Sequence, residues 1–333
     1  MNVLFFFGAG FALSFVALIG LMRLLPEDFL VATITSRSNH AHRVRQIGGL
    51  GLTPALVAVL AAFPGDWSAA IALALGAIAI ATLGFIDDWS DLSAPAKAAG
   101  QAVIAIAILA FLAGRAGLAF RPEWVVPLTA AAIAYVYWIN AVNFMDGIDL
   151  MVVAGVAPGM ALVSGLLLAA APDDPIAVAG VTLAGGLAAF GLFNRPPARI
   201  FLGDSGSLLT GFISGLVIID ALARLPAATA VLPFAFFLAD TASTLLLRFA
   251  RGEALWKAHS AHAYQVARRG GASVEAVITR VAVVTVSLCL LALLADFFPG
   301  AGWQVAAILT GAALAAIAVH VLRQAGGRSV GRT

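Results

Sequence analysis

Two adjacent carboxylates, Asp87 and Asp88, break an uncharged apolar run, and Asp91, a Ser93-Ala94-Pro95 break and Lys97 follow closely. On a continuing helix neighbouring side chains point about 100° apart, whereas at a helix end both can turn into one polar pocket. A solvated loop between spans would also be polar, but other loops repeat the pattern. In Asn140 to Leu150, NAVNFMDGIDL, spacings of three place Asn140 with Asn143, and Asp146 with Asp149, on one helical face near its end. Asp204, in Gly203-Asp204-Ser205-Gly206-Ser207, could be an ordinary helix cap. Its glycine flanks let the backbone approach a ligand, and a carboxylate there can hold a hard cation such as Mg²⁺. The SNHAHRVRQIGG stretch, with Arg43, Arg45 and Gly48-Gly49, suits an anion-binding loop as well as a positively charged membrane anchor. Downstream, Arg251 precedes His259 and His262, which share a helical face. As a zinc pair the histidines lack a third soft ligand, so anion contacts or proton transfer fit them better. Together these residue types describe a site for a metal-bound phosphorylated substrate.

The elements that must position them are membrane helices. Of 333 residues, 62% are hydrophobic and only 11% charged, with a mean hydropathy of +1.02, against roughly 25% charged in a soluble domain. An all-α polytopic membrane protein follows. A hydrocarbon core about 30 Å thick needs about 20 apolar residues per helix, and eleven segments, about 10–11 of them spanning, meet that pattern. The first, NVLFFFGAGFALSFVALIGLM, lacks a basic leader and reads as a retained span. If the loop after it is cytoplasmic, then of the 19 Lys and Arg only Arg115, Arg121 and Arg224 fall outside and Arg280 within a span. The expected orientation is therefore N-terminus out, C-terminus in, with every polar loop named above on the cytoplasmic face. One integral membrane catalytic domain, residues 1–325, and a short cytoplasmic tail, 326–333, are expected. The net charge of +2 is too small to suggest nucleic acid, and the lone Cys289 can form no intrachain disulfide. Asp240 and Arg280 are left over inside spans. Ionisable groups at such depth pair or face the bundle interior, so they are expected to face each other or a shared cavity and to position the histidine loop. The alternative is that Asp240 faces the catalytic cavity while Arg280 snorkels inward.

Asp87-Asp88 with Lys97 beyond them, NAVNFMDGIDL, FLGDSG and a basic, histidine-containing last loop occur in the order found in the bacterial polyprenyl-phosphate N-acetylhexosamine-1-phosphate transferases. The chain resembles that family over roughly residues 30–270, and AHSAHAYQ is similar to its O-antigen-initiating branch. RVRQ departs from the family's PTPR, placing Gln46 where an arginine is expected. The resemblance implies transfer of a sugar-1-phosphate from a UDP-N-acetylhexosamine to undecaprenyl phosphate in the bacterial inner membrane, releasing UMP, with Mg²⁺ or Mn²⁺ as cofactor. It implies Asn143 and Asp204 as metal ligands, Phe201 stacking on uracil, and Asp146 and Asp149 lining the nucleotide pocket. Asn140, Arg45 and Arg251 join the substrate-binding set, and Asp87, Asp88, Lys97, His259 and His262 the catalytic set. A homodimer is admitted beside a monomer. A secondary transporter of a nucleotide-sugar or other anion competes, but would place its ionisable residues near the bilayer midplane. A lipid-diphosphate hydrolase would use the same metal logic with water as acceptor.

Overall fold

A computed structural model describes residues 3–32, 43–118, 121–254 and 260–327. The helices are α1 (Val3–Leu24), α2 (Gly48–Ala61), α3 (Trp67–Ser90), α4 (Ala94–Arg115), α5 (Pro122–Met145), α6 (Met151–Gly155), α7 (Ala157–Ala170) and α8 (Pro175–Gly191). They continue as α9 (Gly203–Arg224), α10 (Ala227–Val231), α11 (Ala235–Ala250), α12 (Ala263–Arg269), α13 (Val274–Phe297) and α14 (Ala301–Gly327), with a single 3₁₀ turn joining α10 to α11. Among the described residues the only extended pairings are isolated bridges, Val31 with Arg45 and Arg45 with Ile200. Among the described residues, eight helical stretches are long and apolar enough to cross a membrane. Three shorter apolar helices, Gly48–Ala61, Ala157–Ala170 and Pro175–Gly191, stand at three of the other apolar segments.

Burial grades the helices. The apolar window of α9 is 72% buried whereas that of α1 is 22% buried, so α9 is the hub and α1 a peripheral wall. Leu4, Val16, Val103, Val126, Leu290 and Leu309 stand exposed on α1, α4, α5, α13 and α14, as expected of faces turned to lipid. In lipid no hydrophobic force joins two helices, and association depends on close packing and interhelical hydrogen bonds. Both occur between α5 and α9, where the Tyr135 hydroxyl donates to the Phe212 carbonyl at 2.8 Å and Trp138 Nε1 to Ser214 Oγ at 2.8 Å.

The expected pairing of Asp240 with Arg280 is not formed. The buried face of α13 carries Val277, Ile278 and Val281, which turns Arg280 outward, where Nη1 donates to the Ala276 carbonyl of its own helix at 3.0 Å. Asp240, on α11, faces Arg323 of α14 at 3.8 Å and accepts from the Ala263 amide that opens α12. The half of the expectation that tied Asp240 to the histidine loop holds.

Candidate active site

The last turn of α3, the first turns of α4 and α9 and the end of α5 converge. Gly84 makes the approach of α3 to α9 possible, because a Cβ there would overlap the backbone of Asp204 and Ser205. Gly203, at φ +72°, makes the turn into α9 in the left-handed region, and a Cβ on it would stand 2.7 Å from Asp88 Oδ2.

Asp88 uses this proximity to cap α9. Its carboxylate accepts the amides of Asp204 (2.8 Å) and Ser205 (3.1 Å), two of the N–H groups a helix start leaves without partners. Gln46 Nε2 donates to the same carboxylate at 3.1 Å. Asp87 turns the other way, accepting the Leu92 amide at 2.9 Å and meeting Lys97 Nζ at 2.8 Å. Lys97 also reaches Asp204 Oδ2 at 2.6 Å, so one ammonium clasps carboxylates from two helices. The adjacent acids thus share one rim with separate jobs: Asp88 anchors a helix start and Asp87 holds the lysine.

Asn140 and Asn143 lie on the final turns of α5. Asn143 Nδ2 donates to Ser207 Oγ at 2.8 Å, one turn along α9 from Asp204, and Asn140 Nδ2 donates to Gln101 Oε1 at 2.6 Å, one turn along α4 from Lys97. Asp146 and Asp149 do not continue that helical face. The helix stops at Met145, and both acids sit in the following turn, with Leu150 left-handed at φ +63°. Asp149 Oδ2 accepts the Ala198 amide at 3.1 Å. Burial raises the pKa of Asp146 well above the ordinary carboxylate range, and the charges of Asp204, Asp88 and Asp149 push it the same way.

Other expectations land differently. The Arg45 guanidinium donates to the carbonyls of Met22 (3.2 Å), Leu25 (3.0 Å) and Pro26 (3.4 Å), closing the end of α1, where the acceptors left over by the helix lie. The Gly48 and Gly49 amides donate to the Phe201 and Leu202 carbonyls, so the glycine pair serves packing here. Phe201 is half-buried, its amide on the Arg45 carbonyl at 2.8 Å. Arg251 is exposed, 3.9 Å from Glu253. His262 is buried with Nδ1 3.7 Å from Asp240 Oδ1, and its ring stacks on Tyr264. His259 lies outside the described residues. Gln46, Gln101, Ser207 and Tyr264 also belong to the site's framework. In sequence Gln46 stands out through its departure from a motif and Ser207 only as a neighbour of Asp204, while Gln101 and Tyr264 carry no such signal.

Among the described residues no group of three His, Cys, Asp or Glu forms a ready metal cage. The donor types nevertheless suit a hard divalent cation: Lys97 bonds Asp87 and Asp204, Asp88 caps the helix that Asp204 opens, the charges of Asp204 and Asp88 act on the buried Asp146, and the Asn143 amide reaches Ser207 one turn from Asp204. That is an excess of oxygen donors and negative charge.

Residues 70–222 match the model of glycosyl transferase family 4. The chain is 34% identical over 197 residues to a phospho-N-acetylmuramoyl-pentapeptide-transferase of Synechococcus elongatus, covering 51% of this chain and 50% of that protein. It is 31% identical over 195 residues to a probable undecaprenyl-phosphate N-acetylglucosaminyl 1-phosphate transferase of Bacillus subtilis, covering 54% and 51%. A Picosynechococcus phospho-N-acetylmuramoyl-pentapeptide-transferase is 30% identical over 229 residues, covering 60% and 61%. The chain spans about half the length of the curated relatives it matches.

Proposed function

We propose that this chain, whose residues 70–222 match glycosyl transferase family 4, transfers an N-acetylhexosamine-1-phosphate from a UDP-sugar to undecaprenyl phosphate and releases UMP. In this reading a lipid-phosphate oxygen attacks the sugar-bearing phosphorus of the donor. The bond from that phosphorus to the bridging oxygen breaks, and its electron pair leaves on UMP. The acceptor is largely ionised near pH 7, so no strong general base is required.

The observation that carries the reading is the Lys97 clasp on Asp87 and Asp204 at 2.8 and 2.6 Å. Two anions must meet, and a lysine fixed between two helix ends can neutralise charge as it develops on the leaving phosphate. Mg²⁺ held by Asp204 and Asn143 would supply the remaining positive charge and polarise the diphosphate. Asp88 keeps the start of α9 in place, and Asp146 and Asp149 border the nucleotide. Phe201 offers its ring to uracil. The cytoplasmic face of a bacterial inner membrane, eleven spans with the N-terminus outside, and the opening step of an O-antigen or another envelope polysaccharide complete the proposal.

The test is a panel of UDP-N-acetylhexosamines incubated with purified protein. Production of UMP and a lipid-linked sugar diphosphate, requiring both undecaprenyl phosphate and Mg²⁺ and stopping on chelation, is expected for at least one donor. UMP release without the lipid would point to hydrolysis. Donor uptake into proteoliposomes without UMP would point to transport and end the transferase reading.

A further inference from the structure

The matched family segment ends at residue 222, yet the C-terminal helix reaches back to the site. Near the end of α14, Arg323 Nη2 donates to Thr244 Oγ1 at 2.8 Å and lies 3.8 Å from Asp240 Oδ1. Asp240 is wholly buried within α11. Its carboxylate accepts the Thr244 hydroxyl at 3.2 Å and the Ala263 amide at 2.9 and 3.1 Å, and stands 3.7 Å from His262 Nδ1. Ala263 opens α12, so Asp240 fixes the start of that short helix from outside it.

From α12 the contacts continue to the acidic rim. The Tyr264 hydroxyl donates to the Phe144 carbonyl at 3.0 Å, and the His262 ring lies 6.3 Å from the Phe144 ring. Phe144 follows Asn143 and leads into Asp146. The other end of α12 is braced by α14 itself, where the chain at Gly270 and Gly326 approaches too closely to admit a Cβ on either. A buried carboxylate requires a cation or equivalent hydrogen bonds, and Arg323 supplies both the charge and a bond to the neighbouring Thr244.

We propose that Arg323 is a positioning residue: through Asp240 it holds α12, and through Tyr264 and His262 it holds the Asn143–Asp149 turn in the geometry that receives the nucleotide-sugar donor. This rests on the transferase reading for its substrate, but the coupling itself is a property of the fold. It predicts a defect in donor binding more than in acceptor binding, because the braced turn carries the residues assigned to the donor.

The experiment compares full-length wild type, Arg323→Gln and Arg323→Lys, with Arg280→Gln as a control for losing an exposed arginine. In substrate-free protein, hydrogen exchange at 260–269 and 143–149 is expected to rise about tenfold in Arg323→Gln, with other helices unchanged. The KM for the donor should rise about 3- to 10-fold, corresponding to the usual span of coupling through packed networks, while the acceptor KM stays within about twofold. Arg323→Lys should recover part of both, since it keeps charge but not the fork of donors. Unchanged exchange at 260–269, or exchange rising evenly across all helices with equal losses for donor and acceptor, would overturn the proposal. Local exchange changes in a wild-type protein that turns over no UDP-sugar would support the coupling and sink the transferase reading.

Discussion

Lys97 shows what one side chain does at this rim. It joins Asp87 on α3 to Asp204 on α9, so Lys97→Met leaves two carboxylates facing each other without their cation. Turnover is expected to fall about 10²-fold or more, the scale of losing one donor aimed at developing charge. Lys97→Arg should restore only part, its planar fork being ill-suited to a point between two acids. Steady-state kinetics decide, and full activity in Lys97→Met would reduce the residue to a membrane anchor. Asp146 makes a stability prediction. Its raised pKa means the folded protein keeps a proton that the unfolded chain, with a value of 3.8, has lost. Stability therefore falls as pH climbs from that value toward the folded one. Asp146→Asn should remove its share of that slope and raise the Tm of metal-free protein near pH 7 while costing activity. A Tm profile parallel to wild type from pH 4 to 7 would refute the assignment. These acids, amides and the lysine were legible in sequence because they interrupt an apolar background. Gln101 and Ser207 were not, since each acquires meaning only from a partner far along the chain, Asn140 or Asn143. The seat of Arg45 against the end of α1 is not legible from its loop, because its neighbours in sequence say nothing about the carbonyls of α1 beside it.

At the scale of elements, the site depends on how closely α3 approaches the first turn of α9. Gly84 has no room for a Cβ against Asp204 and Ser205, and backbone atoms cannot step aside as a flexible side chain can. Gly84→Ala should therefore separate the two helices, costing about 1–3 kcal/mol of stability as overpacking does. Because the Asp88 bonds to the Asp204 and Ser205 amides cross this contact, Mg²⁺-dependent nucleotide binding should weaken before the protein unfolds. Titration calorimetry with UMP and Mg²⁺, set beside the Tm, would show this, and an undiminished affinity would mean the contact is dispensable. The convergence of helix ends was readable from sequence as a set of polar breaks. The phase of each helix was harder to read: Arg280 fits a pairing with Asp240 by depth alone, and only the buried Val277–Val281 face of α13 shows that it points away.

For the whole molecule, helix length and burial together bear on how many helices cross. α2 has 14 residues, which at 1.5 Å each gives about 21 Å, short of a hydrocarbon core of about 30 Å. Its ends nevertheless reach opposite faces of the bundle. Gly48 bonds to Phe201 at the acidic rim, and just past its other end Phe63 packs on Phe6, near the start of α1. The turn between α7 and α8 behaves likewise: Asp174 pairs with Arg224, at the far end of the 22-residue α9 from Asp204. Since α8 is enclosed along nearly its whole length, it need not match the lipid thickness by itself. Protein neighbours satisfy what lipid cannot. The prediction is that short helices cross too, with the acidic rim inside. In a Cys289→Ala background, single cysteines at exposed Gly117 and Asp173 should react with an impermeant maleimide from outside intact cells. Cysteines at Asp91 and Gly271 should react only in inverted vesicles. Labelling of Asp173→Cys and Asp91→Cys from the same side would mean that the chain between them crosses an even number of times, contradicting both the eleven-span arrangement and the fifteen-to-three bias of basic residues on which the orientation rests.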